Sequence, residues 1–199
     1  MSPKQKNLFD YFETKETRKR YGRTQHGGTL NKGHRKLERP LSTKKWIHLV
    51  LKSDKAKGKL SFLTATNKIL IQKILKEKAG KFGIKIADQA NGGNHLHLKL
   101  RISSRENFQK FLKAVTTLLA RKITGARRGH RFGRFWQGLA FTRVLTSRTE
   151  ELNLMGYIMA NRLEAATSYE AREKFLARFN EWVYRERRRS KNLVNFSSG

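Results

Sequence analysis

The stretch "NGGNHLHLKLRI" (residues 91–102) decides the fold. After the "NGG" turn, apolar and polar residues alternate with a period of two, which is typical of a strand with one buried face. The buried face is predicted to carry Leu96, Leu98, Leu100 and Ile102, and the opposite face His95, His97, Lys99 and Arg101. The sequence therefore predicts a strand that presents two imidazoles side by side on the polar face of a sheet.

The segments around this strand follow the order β-α-β-β-α-β. Strands are predicted over 46–52, 84–89, 94–102 and 138–146, and helices over about 64–82 and 104–124. Ser103 and Glu106 have the spacing of a capping box, and Gly125 suits the end of the second helix. This order indicates an α+β fold, the ferredoxin-like split βαβ antiparallel sheet, with additional C-terminal helices. Both crossover helices then cover one sheet face, and the histidine face is left for a ligand or a later helix.

We expect three segments in the 199-residue chain. Residues 1–44 are basic and lack periodic apolar positions, which favours a flexible N-terminal arm. Residues 45–166 form the main domain. Residues 167–199 form an amphipathic helix on Phe175, Leu176, Phe179, Trp182 and Val183, followed by a basic tail.

The charge of the chain indicates a polyanionic partner. Forty-five Lys and Arg against 15 Asp and Glu give a net charge of +30, and nucleic acid is favoured over an anionic membrane. No apolar run approaches the roughly 18 residues of a membrane span. The N-terminus has no signal-peptide pattern, so we expect a cytoplasmic protein.

Residue usage also excludes several kinds of site. The chain has no cysteine, so disulfides and thiolate metal sites are excluded. Between Lys78 and Thr149 the only acids are Asp88 and Glu106, which argues against two-metal clamps and glycosidase carboxylate pairs. Any metal here must depend on neutral ligands.

The pair His95 and His97 is a candidate metal site. Same-face residues on a strand lie roughly 6–7 Å apart, so one cation can reach both imidazoles. Neutral imidazole suits Mn²⁺ and Zn²⁺, and Mg²⁺ with added oxygen ligands. The alternative is two surface histidines on a solvated face. His48 on the first strand is expected nearby, as a packing or solvent-facing histidine.

The helix predicted over 148–166 offers a nucleophile. Its apolar arc is Leu152, Met155, Met159 and Leu163. Tyr157 lies nearly opposite, with Asn161 one turn later on the same face. A phenol can act as a covalent nucleophile in phosphodiester cleavage, although an exposed tyrosine without chemistry is an equal alternative.

Three stretches together resemble the REP-associated tyrosine transposases and related HUH single-tyrosine transposases of bacteria. They are "GNHLHLKLR" (93–101), "FGRFWQGLAFTRV" (132–144) and "YIMANRLEA" (157–165). The stretch "RPLSTKKWIHLVLKS" (39–53) also looks like the opening strand of that family. The resemblance covers residues 39–166 and makes 45–166 the catalytic domain.

The resemblance implies a metal site with Tyr157 as the nucleophile. His95 and His97 would be metal ligands and Asn161 the third, with Mg²⁺ or Mn²⁺ bound. The implied activity is nicking of single-stranded DNA at hairpin-associated sites, leaving a 5′-phosphotyrosine and a free 3′-hydroxyl, in a nucleoid-associated protein. Many relatives have proline directly after the third ligand, whereas this chain has Arg162.

The basic residues then become candidate DNA contacts: Arg127, Arg128, Arg131 and Arg134 in the loop before the fourth strand, with Lys99 and Arg101. Trp136 in the same region is expected in the core. The rival hypotheses are a non-catalytic ferredoxin-like nucleic-acid binder and a domesticated relative that only binds hairpins. The sequence leaves monomer and homodimer open.

Overall fold

The computed structural model describes residues 24–28, 38–164, 174, 177–179, 181–182 and 184–185. The strands are β1 Gln25–His26, β2 Ile47–Lys52, β3 Lys85–Asn91, β4 His95–Arg101 and β5 Phe141–Val144; the helices are α1 Ala65–Lys81, α2 Arg105–Thr124 and α3 Arg148–Glu164. The remainder of the predicted arm and C-terminal helix lies outside the described residues. No helix in the described ranges is long and apolar enough to cross a membrane.

The five strands form one antiparallel sheet in the order β1-β5-β2-β4-β3. Without β1, this is the strand order of the ferredoxin-like fold, and β4 lies between β2 and β3 as predicted. Leu49 of β2 pairs with Leu98 of β4 in the register. The predicted α+β fold class is confirmed.

The core lies between the sheet and the helix layer of α1 and α2. On β4, Leu96, Leu98 and Leu100 are buried, as expected from the alternation, and they belong to one cluster with Phe108 and Phe111 of α2. Burial of each such side chain contributes about 1.5–3 kcal/mol. The leucines therefore fix which face of β4 points to the helices, and the histidines take the other.

The start of α2 differs from the prediction by one residue. Ser104, not Ser103, is the N-cap, and its hydroxyl accepts a hydrogen bond from the backbone N–H of Asn107. Ser103 instead donates to the carbonyl of Phe82 and accepts from the Asn107 side chain. Because Ser104 keeps an extended backbone, the helix begins one position later than the capping-box spacing indicates.

β1 was missed by the sequence prediction and lies inside the predicted arm. Gln25 pairs with Arg143 and His26 with Thr142 of β5. Gly27 follows with a φ of 86°, and a Cβ there would lie 2.1 Å from the carbonyl oxygen of Ala140. A glycine is therefore required for the chain to pass this edge of the sheet.

α3 covers the polar face of the sheet. Leu154 and Ile158 form a second apolar cluster with Ala90 and Leu145, on which Tyr157 also packs. The predicted apolar arc is only partly correct, because Leu152 is buried whereas Met159 is 39% exposed. The physical reason is that α3 packs on the histidine face of the sheet. Because that face is partly polar, the buried side of the helix is a mixture of polar and apolar residues.

Candidate metal and nucleophile site

β4 supplies two neighbouring imidazoles to the space under α3. The His95 and His97 ring centroids lie 4.8 Å apart, with the rings nearly perpendicular at 84°. His97 is fully buried, while His95 is partly exposed. The leucines between and beside them are locked into the core, so the strand holds both rings on one face.

α3 brings Tyr157 and Asn161 to these imidazoles. The Tyr157 hydroxyl oxygen lies 3.5 Å from His97 Nε2, and Asn161 Oδ1 lies 3.4 Å from His95 Nε2. Asn161 Nδ2 donates to the carbonyl of Tyr157 at 2.8 Å. That bond directs the amide oxygen towards His95, so the four residues singled out in the sequence converge at one place.

His48 of β2 completes a cluster of three histidines. Its Nε2 lies 3.0 Å from His97 Nδ1, and the two rings are stacked with centroids 5.3 Å apart. His48 is buried, so of the two expected alternatives, a packing or a solvent-facing histidine, the packing one is observed. Its contact with His97 could not be read from the sequence, because it depends on the pairing register of β2 and β4.

Burial keeps the imidazoles of His48 and His97 neutral. Desolvation, followed by the charge of Arg143, lowers the pKa of His48 to about 3. Desolvation, followed by the neighbouring His48 and His95, holds the pKa of His97 well below its usual range. Neutral imidazoles keep a lone pair available at neutral pH, which is the form that binds a metal ion.

Gly92 makes room for His95. A Cβ at Gly92 would lie 2.3 Å from the His95 ring, and His95 Nδ1 lies 2.6 Å from Asn94 Oδ1. The "NGG" segment therefore does more than turn the chain, because it also forms one wall of the imidazole site. The sequence pattern indicated only the turn.

The donor set fits a cation that accepts nitrogen and oxygen ligands. Among the described residues, no three His, Cys, Asp or Glu side chains are grouped so as to hold a metal ion. His95, His97 and the amide oxygen of Asn161 are the neutral donors that could hold a cation here, with positions left for substrate oxygens. This chemistry suits Mn²⁺, or Mg²⁺ with substrate oxygens added.

The start of α3 is fixed by a buried ion pair. Arg143 of β5 donates to the carboxylate of Glu150 at 2.5 Å, and Thr146 donates to it through its backbone N–H at 2.6 Å. Burial raises the pKa of Glu150, but the hydrogen bonds from Thr146 and Arg143 outweigh it and leave this pKa below its usual value. The helix that carries Tyr157 is thereby tied to β5.

The predicted DNA contacts on β4 are not equivalent. Lys99 forms a salt bridge with Glu151 at 3.1 Å and lies over the ring of Trp46, so its ammonium faces α3 and not open solvent. Arg101 is exposed, with its guanidinium 4.5 Å from the centroid of the Trp46 ring. Of the two, Arg101 is the one accessible to a phosphate.

The loop before β5 presents its cations to solvent. Arg127, Arg128, Arg131 and Arg134 are all exposed. Trp136, in contrast, packs against the core and donates from Nε1 to the carbonyl of Thr116 at 2.9 Å. The prediction of a core position for Trp136 is confirmed. With Trp136 held against the core, the four arginines of the loop remain exposed.

Comparison with known proteins identifies a solved structure with a similar fold. A solved REP-associated tyrosine transposase, bound to a REP hairpin, superposes with a TM-score of 0.53 over 67% of this chain and 76% of that chain, at 10% identity. This chain shares the fold of that transposase. A second solved chain, a candidate transposase from Deinococcus radiodurans R1, is 22% identical over 64% of this chain and 98% of its own, with a TM-score of 0.40. No family model and no curated protein matches the sequence.

Proposed function

We propose that this chain is a transposase-like enzyme that nicks and rejoins single-stranded DNA through a 5′-phosphotyrosine. The observation that best supports the proposal is the position of the Tyr157 hydroxyl, 3.5 Å from His97 Nε2. The amide oxygen of Asn161 lies beside His95 on the same side. A potential nucleophile and three potential metal ligands thus meet beneath one helix.

The proposed reaction is a pair of transesterifications. The Tyr157 oxygen bonds to phosphorus and the bond from phosphorus to the 3′ oxygen breaks; the phenol proton leaves to water, and the 3′ oxygen takes a proton from water. In the second step a 3′-hydroxyl attacks the phosphotyrosine, which re-forms a phosphodiester and releases the phenol. Because one phosphoester replaces another at each step, no ATP is needed.

His95, His97 and Asn161 would hold Mg²⁺ or Mn²⁺. When bound, such an ion stabilises the negative charge that develops on the phosphate oxygens. His97 Nε2 cannot be a metal ligand and a proton acceptor at once, which is why water is proposed to take the phenol proton. Packing of Tyr157 on the cluster of Leu154 and Ile158 limits its movement and keeps its hydroxyl near the ligands.

The DNA partner is proposed from charge and from the fold neighbour. A net charge of +30 and four exposed arginines in the loop 126–134 suit a polyanion. The similar solved transposase was bound to a REP hairpin, so we propose hairpin-forming DNA, bound in a bacterial cytoplasm at the nucleoid. Tyr157 and both histidines meet within one chain, which supports nicking by a chain with its own tyrosine, as a monomer or within a dimer.

The experiment is an adduct assay with end-labelled hairpin oligonucleotides and Mn²⁺. The 3′-labelled strand should appear on the protein in a denaturing gel, and the 5′-labelled strand as a shortened free product. EDTA and Tyr157→Phe should each abolish both bands. Tyr184→Phe, at a 58% exposed tyrosine outside the site, should leave them unchanged. Adducts that survive Tyr157→Phe would contradict the proposal, and DNA binding without any adduct would favour a non-catalytic binder.

A further inference from the structure

The hydrogen bond between His48 and His97 can run in either direction, because each ring nitrogen can be the donor or the acceptor. The distance of 3.0 Å between His48 Nε2 and His97 Nδ1 is that of a hydrogen bond with one shared proton. A neutral imidazole carries a proton on one nitrogen and a lone pair on the other. The nitrogen that donates in this bond therefore decides what His97 Nε2 can do on its other side.

One arrangement is compatible with a metal ligand at His97. If His97 Nδ1 donates to His48, then Nε2 has a lone pair directed towards Tyr157. If His48 Nε2 donates instead, Nε2 of His97 carries a hydrogen and cannot bind a cation. Histidine ligands in metal sites generally donate from their second ring nitrogen to a fixed acceptor, which sets both tautomer and ring orientation.

We infer that His48 is a positioning residue that accepts from His97 Nδ1–H and so holds the His97 Nε2 lone pair towards the metal and the nucleophile. The inference rests on the proposed function, because it concerns a ligand of the proposed metal site. The His48 ring lies farther from the Tyr157 ring than the His97 ring does, with centroid distances of 6.5 Å and 4.9 Å. It acts on the site through His97.

The strand pairing makes His48 a rigid acceptor. On the paired strands, His48 lies opposite Lys99 and Val50 lies opposite His97, so the two imidazoles are diagonal neighbours on one face. Stacking on His97 and an edge contact with Phe141, at a centroid distance of 6.1 Å, hold the His48 ring on two sides. A buried ring held in this way offers its nitrogen at a fixed place.

The first measurement is the tautomer of His97 in the wild-type protein, from the ring ¹⁵N shifts in long-range ¹H–¹⁵N spectra without metal. The inference predicts the Nδ1–H tautomer for His97 and a lone pair on His48 Nε2. The Nε2–H tautomer for His97 would overturn it. This result does not depend on any variant or on activity.

The second measurement is Mn²⁺ affinity, from the loss of the free-ion electron paramagnetic resonance signal. His48→Phe keeps a ring but removes the acceptor, and should weaken binding about 10- to 100-fold. His48→Gln restores an acceptor oxygen and should recover most of that loss. Equal Mn²⁺ affinity in wild type and His48→Phe would overturn the inference but leave the proposed function standing. If the wild type binds neither Mn²⁺ nor Mg²⁺, the proposed metal site fails and the inferred role of His48 fails with it, whatever the tautomer of His97.

Discussion

The guanidinium of Arg162 forms a salt bridge with the carboxylate of Asp88, which joins the end of α3 to the edge strand β3. Its Nε also donates to the carbonyl of Gln89 at 2.7 Å. This arginine follows Asn161 directly in the sequence. In this chain an ion pair therefore ties the helix end, and with it Asn161, to the sheet.

Replacement of Arg162 by alanine should loosen Asn161 more than it destabilises the fold. The pair is partly exposed, so the loss of unfolding free energy should be about 1 kcal/mol or less. Mn²⁺ affinity should nevertheless fall several-fold, because Asn161 loses its fixed position. Titration of Mn²⁺ and urea unfolding measure the two effects. Arg148→Ala is the control: this side chain is 75% exposed in its pair with Glu151 near the start of α3, so its loss should not change Mn²⁺ affinity. An equal fall in both variants would contradict this account.

Substitution of Gly92 by alanine should displace the imidazole of His95. The added Cβ would lie 2.3 Å from that ring, so the His95 ring must shift from its present place beside Asn161. We expect Mn²⁺ affinity to fall about 10- to 100-fold, the usual range for losing support of a metal ligand. Gly80→Ala is the matched control, since a Cβ there meets nothing within 4 Å. An unchanged Mn²⁺ affinity in Gly92→Ala would contradict the role given to Gly92 in placing the His95 ring.

The sequence predicts those parts of the fold in which apolar and polar residues alternate with a strict period. On β4 the alternation of Leu96 and Leu98 with His95 and His97 indicates both the strand and its two faces, since a slip of one residue would expose every leucine. The element order then leads to the sheet topology. The two residues of β1 have no such signal, because a short edge strand in a glycine-rich basic segment depends on its partner and not on its own pattern.

The sequence, together with the family resemblance, singled out His95, His97, Tyr157 and Asn161, which converge under α3. Their metal-binding and catalytic roles stay predictions. The buried side of α3 was predicted only in part, because a helix that packs on a polar sheet face does not follow an apolar stripe. The contact of His48 with His97 depends on the strand register, which the sequence does not state.

The ion pair of Arg143 and Glu150 should make stability depend on pH in acid. The folded-state pKa of Glu150 lies below its ordinary value of 4.5, so its contribution is complete above about pH 4.5 and is lost as the pH falls through the folded pKa. Glu150→Gln should lower the unfolding free energy at pH 7 by about 1.5–3 kcal/mol. It should also reduce the fall of the unfolding free energy between pH 7 and pH 3. Urea unfolding between pH 7 and pH 3 measures both effects.

Glu38→Gln is the control for this experiment. The Glu38 side chain is 78% exposed in its pair with Arg105, so its replacement should keep the wild-type pH dependence. If the unfolding free energy of Glu150→Gln falls with acid pH as much as that of the wild type, the pair of Glu150 and Arg143 does not stabilise the start of α3 in the way described.

The arginine loop should contribute mainly through phosphate charge. Neutralising Arg127, Arg128, Arg131 and Arg134 with glutamine should reduce the slope of log affinity against log salt by about 3, at roughly 0.7 per phosphate of single-stranded DNA. The charge-matched control replaces four exposed lysines, Lys44, Lys45, Lys55 and Lys57. An equal change of slope in both variants would show that only net charge matters.

The central claim is that Tyr157 forms the covalent bond to DNA. Mass spectrometry of peptides from a nuclease-trimmed adduct, formed on hairpin DNA with Mn²⁺, tests it most directly. The account predicts a nucleotide linked through its 5′-phosphate on the peptide that contains Tyr157. A nucleotide found on any other tyrosine, or on a serine or histidine, would contradict it.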